Sequence, residues 1–392
     1  MRPYTSMLRY LTAGESHGRA LTTILEGMPA GVAVTEEDIN QELARRQKGY
    51  GRGARMAIEA DKVQVSSGIR WGETLGSPIA MQVFNKDWAK WEKLLSVDPK
   101  DRDESKRVVK PRPGHADLVG LLKYDRQDAQ DILERASARE TAARVAVGAV
   151  CRKLLEPFGI QIFSFVREIG TVKAKNIPKD PAEIISRTEA SEVRCPDPEA
   201  EKMMIELIDK ARAAGDSLGG VFSVVITGCP VGLGSHVHWD RKLEARLCWA
   251  MMSIQAMKGV EIGMGFEASR RFGSEVHDEI FYSKEKGFYR GTNNAGGFEG
   301  GMTTGEPIII SVAKKPISTL MKPLRSVNIE TKEPFKAEVI RSDVVAVPAA
   351  GVAAEAIAAF EIALAMREKF AGDSLREMKD NYDRYVAYVK AR

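Results

Sequence analysis

The sequence predicts one large domain that mixes helices with strands. Three observations predict it. Short apolar runs bounded by glycine or proline, among them Leu8–Thr12, Ala20–Glu26 and Gly219–Gly228, read as strands. Two small-residue runs, Thr141 to Leu155 and Ala349 to Lys369, are apolar on most faces and read as buried core helices. No linker-like stretch divides the 392 residues, so residues 1–392 are taken as a single domain. Each core helix follows an Arg-Ser or Arg-Ala-Ser segment, which leaves a diverged internal duplication open.

Composition narrows the function classes. A chain that is 44% hydrophobic and 29% charged is ordinary for a soluble globular protein. The net charge of +4 is too small to imply a nucleic-acid partner. Basic residues are concentrated locally instead: Arg45, Arg46, Lys48, Arg52 and Arg55 occur with no acid between them. Lys106, Arg107, Lys110 and Arg112 form a second group, and only Tyr50 interleaves an aromatic ring. Cys151, Cys195, Cys229 and Cys248 show no C-x-x-C spacing and are expected as reduced thiols in a cytoplasmic protein. The most apolar late run is interrupted by Glu355 and Glu361, so no membrane span is expected.

In chain order, the Leu8–Thr12 strand leads into GESHG, Gly14 to Gly18. Its glycines let the backbone turn sharply and present His17, although an ordinary turn histidine is the simpler reading of that motif alone. Thr35 and Asp38 predict a capped helix from Glu36 to Gln47. It releases Arg45 and Arg46 into a glycine-rich loop carrying Arg52 and Arg55, where several guanidinium groups can meet one anion. Lys62–Ser67 and Ile79–Val83 read as strands, and Asn85–Asp103, with Trp88 and Trp91, reads as a surface segment.

The stretch from Arg112 to Val150 carries the densest chemistry. Pro111 and Pro113 fix the chain around Arg112, and Gly114 precedes His115. A short helix is expected over Asp128–Glu134. Ser137 and Glu140 then match a capping box for the Thr141–Leu155 helix. That helix start, with Arg135, Arg139 and Arg144 beside it, favours phosphate or another anion; plain capping with surface arginines is the alternative.

The second half adds a strand over Ile160–Val172, a polar loop region over Lys173–Pro198, and an amphipathic helix over Asp197–Ala214. His236 and His238 share one side of an extended run, but no convincing ligand set surrounds them, so no metal is expected. Asp240 is expected to cap a helix from Arg241 to Met257 whose Trp249, Met251, Met252 and Ile254 read as core. Gln255 is the one polar residue in an apolar turn. The glycine-rich run Phe288–Glu306 lacks the G-x-G-x-x-G turn of a dinucleotide site, which counts against a pyridine-nucleotide oxidoreductase. A strand over Pro307–Ala313 ends in KKPIST, Lys314 to Thr319, where a lysine, hydroxyls and free N–H groups suit a phosphate. Phe335–Ile340 reads as a strand, followed by RSDVVAVP. Leu375–Val389 is the last amphipathic helix.

Taken together and in this order, GESHG, RRQKGYGRG, RPGHADL, ERASARETAARVA, GGFEGGMTTG, KPIST and RSDVVAVP resemble the chorismate synthase family from about Leu8 to Lys369. The resemblance implies an α+β layered fold, with central helices between antiparallel β-sheets, and a homotetramer. It implies 1,4-elimination of phosphate from 5-enolpyruvylshikimate 3-phosphate to give chorismate. Reduced FMN is the implied cofactor, and NADPH an indirect source of reducing equivalents. By the same resemblance the flavin site comprises Arg135, Ala136, Ser137, Gln255, Ala256, Gly300, Lys315, Pro316, Ile317, Ser318, Thr319 and Arg341. The substrate's anionic groups meet Arg46, Arg52, Arg55, Arg112 and Arg139, where a nicotinamide-nucleotide contact at Arg46 and Arg52 is the competing reading. The implied catalytic residues are His115 as general acid on the phosphate, His17 beside the flavin, and Asp343 as proton acceptor.

Overall fold

The computed structural model describes residues 7–52, 61–336 and 343–392. Strands β1 (Arg9–Ala13) and β2 (Ala20–Glu26) pair antiparallel, with Arg9 opposite Glu26. The turn between them requires glycine at position 14. Its φ is +106°, and a Cβ there would lie 2.3 Å from the Ala20 carbonyl oxygen. Helix α1 (Glu36–Gln47) starts at the predicted cap, which is a full capping box, Thr35 accepting from the Asp38 N–H and Asp38 accepting from the Thr35 N–H. Strands β3 (Val63–Ser67) and β4 (Ile79–Phe84) complete a sheet in the order β1-β2-β4-β3. Leu21, Thr23 and Leu25 of β2 and Ile79, Met81 and Val83 of β4 alternate inward, the period-2 pattern of a sheet with one covered face.

Helices α2 (Asp117–Tyr124) and α3 (Gln130–Ala136) then lead to α4 (Thr141–Leu155). Ser137 caps, but not in the predicted box. It accepts from the Arg139 N–H and starts a 3-10 turn, Ala138–Glu140. Glu140 turns away from it and accepts from Thr12, Arg144 and Gln255. Tertiary donors outbid the local backbone for that carboxylate.

A second antiparallel sheet contains β5 (Gln161–Ile169), β6 (Val172–Lys173), β7 (Gly220–Thr227), β8 (Met257–Ile262) and β9 (Ile308–Lys314), in the order β8-β9-β7-β5-β6. The region expected to be loop contains helix α5 (Pro181–Ala190), entered through the Asp180 cap with Pro181 at its first position and Ile184 and Thr188 buried. Helix α6 (Pro198–Ala213) follows with Asp197 as its cap. Helix α7 (Leu243–Met252) is shorter than expected. Asp240 does not cap it: Lys242 holds the cap position, and Asp240 lies in the preceding 3-10 turn with its carboxylate 2.9 Å from His238 Nδ1. Trp249 and Met252 are exposed rather than core, whereas Met251 and Ile254 are buried. Helices α8 (Val347–Phe370) and α9 (Leu375–Lys390) end the chain.

The centre is the contact between α4 and α8. A Cβ on Gly148 would lie 2.4 Å from the Ala356 Cα, so the two backbones touch and small residues are obligatory there. Helix α4 covers the first sheet and α8 the second, which gives the expected α+β layering. Helix α8 is long and apolar enough to cross a membrane, but 94% of its most apolar stretch is buried inside the protein. Glu355 on it accepts from Arg45, Arg152, Arg194 and Ser164.

Candidate active site

The GESHG turn docks on the end of α3. The Ser16 N–H donates to the Glu134 carbonyl, and Arg135 donates to the carbonyls of Thr12 and Gly14. His17 is gripped twice by Glu134: its backbone N–H lies 2.7 Å from one carboxylate oxygen and its Nδ1 2.8 Å from the other. Trp91 stacks on the His17 ring with centroids 4.0 Å apart. The segment read as mere surface therefore supplies a wall of the site.

At the RPGH turn, His115 Nδ1 meets Asp117, the first residue of α2. Arg112 donates to the same carboxylate from its backbone N–H at 3.0 Å and from Nε at 2.9 Å. Burial alone would raise the Asp117 carboxyl, but hydrogen bonds from His115 and Arg112 outweigh it and hold the group well below the usual carboxylate range. Arg112 also reaches Thr319 at 3.4 Å.

The other arginines form a buried cluster around Asp61. Arg139 spans both Asp61 oxygens at 2.6 Å and also donates to Asn85. Arg46 lies 3.5 Å from Asp61 and donates to Thr141 and the Ala138 carbonyl. Asn85 in turn donates to the Gly18 carbonyl, which joins this cluster to the histidine turn. Arg52 pairs with Asp343 at 3.0 Å, so two residues assigned to substrate and to catalysis are in direct contact. Arg55 and Arg341 lie outside the described residues.

Lys314 is buried at the end of β9 beside this pair. Burial is the largest influence and pushes its ammonium down to about 8; Lys315 and Arg52 push the same way, and Asp343 opposes them. A lowered base destabilises the fold while it is protonated. That cost is fully present below about pH 8 and is relieved as pH rises towards the ordinary value of 10.5. Lys314→Met is therefore expected to raise the unfolding free energy by about 3 kcal/mol at pH 7. The gain should shrink as pH approaches 10, which urea titrations at the two pH values check.

The flavin set is mostly contiguous. The Lys315 N–H donates to the Ala256 carbonyl at 3.0 Å, and its Nζ donates to the Gly114 carbonyl beside His115. The Ile317 carbonyl accepts from Ser217, while Ser318 and Thr319 share a shallow pocket with Arg112 and Pro113. Ala136 ends α3 and Ser137 follows it. Gln255 donates to Glu140 at 3.2 Å. Gly300 is the exception. It sits beside the start of α7, whereas Gln255 follows its end, a separation of about 15 Å for a helix of ten residues.

These residues fit a flavin. The buried Gln255 Oε1 has no hydrogen-bond partner among the described residues, an acceptor of the kind a flavin ring N–H requires. Ala256 holds a φ of +69°, a strained conformation for a residue with a Cβ, next to that amide. Among the described residues no group of three or more His, Cys, Asp or Glu side chains is placed to hold a metal ion.

Sequence reasoning missed Asp117, Glu134, Asp61, Asn85 and Trp91. The first two lie inside the motifs RPGHADL and ERASARETAARVA, but which side chain each faces is a tertiary fact.

A chorismate synthase family model matches residues 8–366. Over 392 residues the chain is 57% identical to the chorismate synthase of Geobacter sulfurreducens, covering 98% of this chain and 100% of that protein. It is 56% identical over 388 residues to chorismate synthase 1 of Bacillus cereus, with the same shares covered. A crystal structure of chorismate synthase matches with a TM-score of 0.80 and 46% identity over 98% of this chain and 99% of that one. With its motifs, layered fold and full-length relatives in agreement, the chain belongs to the chorismate synthase family.

Proposed function

We propose that this protein converts 5-enolpyruvylshikimate 3-phosphate to chorismate and phosphate, with reduced FMN as cofactor. The observation that carries the reading is the clustering of these groups: Asn85 joins the Gly18 carbonyl beside His17 to Arg139, Lys315 reaches the Gly114 carbonyl beside His115, and Arg52 pairs with Asp343. Reduced FMN, when bound, would supply electron density beside the departing allylic phosphate in a reaction with no net oxidation. Arg135, Ala136, Ser137, Gln255, Ala256 and the Lys315–Thr319 segment would hold it, with Gln255 Oε1 as an acceptor.

The protein's own groups do the rest. Arginine stays cationic at any working pH, so Arg46, Arg52, Arg112 and Arg139 bind a polyanionic substrate and stabilise charge as phosphate departs. Asp61, held between Arg46 and Arg139, marks a seat that suits a carboxylate. His115, beside Arg112, gives its proton to the leaving phosphate. His17 holds a proton at the flavin side, and the Asp343 carboxylate receives the proton that the substrate's ring C–H bond gives up as the C–O bond to phosphate breaks and the new ring C=C forms. NADPH enters only through an outside reductant of the flavin. The protein works in the cytoplasm as a homotetramer.

Anaerobic mixing with reduced FMN and 5-enolpyruvylshikimate 3-phosphate should yield chorismate and phosphate in equal amounts; no product would overturn the assignment. In Asp343→Asn, flavin and substrate binding should persist while turnover falls roughly 10²–10⁴-fold. Loss of flavin binding instead would make Asp343 a structural residue.

A further inference from the structure

We propose that Asp117 and Glu134 are positioning residues that fix which ring nitrogen His115 and His17 present. The proposal rests on the reading of the two histidines as proton-handling groups. The two sites are built alike although they lie in different parts of the chain. In each, a carboxylate exposed to solvent by no more than 3% meets the Nδ1 of a histidine. In each, the carboxylate also accepts a backbone N–H from the same turn, that of His17 for Glu134 and that of Arg112 for Asp117. A further side chain holds each carboxylate in place: Gln130 donates to Glu134 at 2.6 Å, and Arg112 Nε to Asp117 at 2.9 Å.

A carboxylate has no proton to donate when ionised, so the proton of this contact sits on Nδ1. The neutral ring is then held as the Nδ1–H tautomer, with Nε2 as its second nitrogen, and a rotated ring would give up its hydrogen bond to a carboxylate that the neighbouring donors keep in place. At His115 the negative charge has a second effect. Arg112 lies 3.1 Å from Nδ1, and Lys315 reaches the Gly114 carbonyl next to it, so the imidazole is flanked by cations. Asp117 sets a negative charge against the ring in that company. Elsewhere, neutralising a carboxylate behind a catalytic histidine leaves the geometry intact and costs activity through the wrong tautomer.

The test uses the full-length protein with reduced FMN. In Asp117→Asn, kcat should fall roughly 10²–10⁴-fold, and the alkaline limb of its pH profile should move to lower pH. Asp117→Glu, which keeps the charge, should recover part of the rate and return the limb. Glu134→Gln should lower kcat with little change in KM. His115→Ala is run beside them. If it is inactive while Asp117→Asn keeps kcat within about threefold of the parent, the positioning role fails and the histidine's role stands. If His115→Ala keeps full activity, the underlying reading fails first. Ring ¹⁵N shifts in the unmodified protein, recorded at high pH where its five histidines are neutral, need no variant to fold. The Nδ1–H tautomer is expected at His17 and His115, and the Nε2–H tautomer at either would overturn the assignment for that pair.

Discussion

Glu355→Gln is expected to lower the unfolding free energy by about 3–5 kcal/mol, the cost of breaking a buried ion cluster from one side. Glu355 is fully buried on α8 and accepts from Arg45, Arg152 and Arg194, with Ser164 donating from both its backbone and its hydroxyl. Removing its charge leaves three guanidinium groups facing a neutral amide. Arg45 and Arg194 retain Glu189, and Arg152 retains the Ile162 carbonyl, so the cluster is weakened without losing every partner. The loss is still a large share of the roughly 5–15 kcal/mol that holds a typical domain folded. The pH dependence has a definite sign. Burial would raise the Glu355 carboxyl, but the three arginines outweigh burial and hold it at about 2. Its stabilisation is therefore complete above the ordinary value of 4.5 and is lost as pH falls through 2. Urea unfolding should show the parent and variant differing fully at pH 7 and converging in strong acid. A difference that persists unchanged at pH 2 would mean that shape, not charge, is what Glu355 contributes.

Turnover in His115→Ala and in His17→Ala should fall roughly 10²–10⁴-fold, the usual worth of a positioned proton donor or acceptor. Both rings are fixed through Nδ1 by buried carboxylates, and His17 is also stacked on Trp91, so each is held in one orientation before any ligand arrives. Neither change opens the central α4–α8 contact, so flavin binding and thermal stability should stay near the parent values. Single-turnover mixing that follows chorismate absorbance separates the chemical step from binding. Parent-like rates in either variant would remove that histidine from the mechanism.

Local signals were legible where one short segment settles the structure. The Thr35 cap is written in a few residues and formed as read, with Asp38 completing a capping box. The strand Ala20–Glu26 formed with the bounds its apolar run gives, although Thr23 faces in and Ile24 out. Prediction failed where a side chain chose a distant partner over a near one. Glu140 matches a cap by spacing but serves Thr12, Arg144 and Gln255. Asp240 fell short for another reason: helix α7 starts later, with Lys242 at its cap. Trp249 and Met252 have core chemistry and helical spacing, yet lie on the outer face of α7. Helix α5 was hidden because its apolar face is only Ile184 and Thr188, too narrow a stripe to show a period.

The candidate site divides in the same way. By itself the sequence determined the chemistry on offer: two histidines in tight turns, arginines on a glycine-rich loop, a KPIST segment, and a family whose motifs occur in order. Residue type and turn geometry are local properties, so they can be read in order along a chain. Only the tertiary structure decided how those groups are paired. It put Arg46 and Arg139 on Asp61, Arg52 on Asp343, Gln255 against Glu140, and a buried carboxylate behind each histidine. A charge taken out of water must find its opposite wherever the packing of α4 on α8 and of the two sheets places one, and that choice spans more than a hundred residues of sequence in the His17–Glu134 pair.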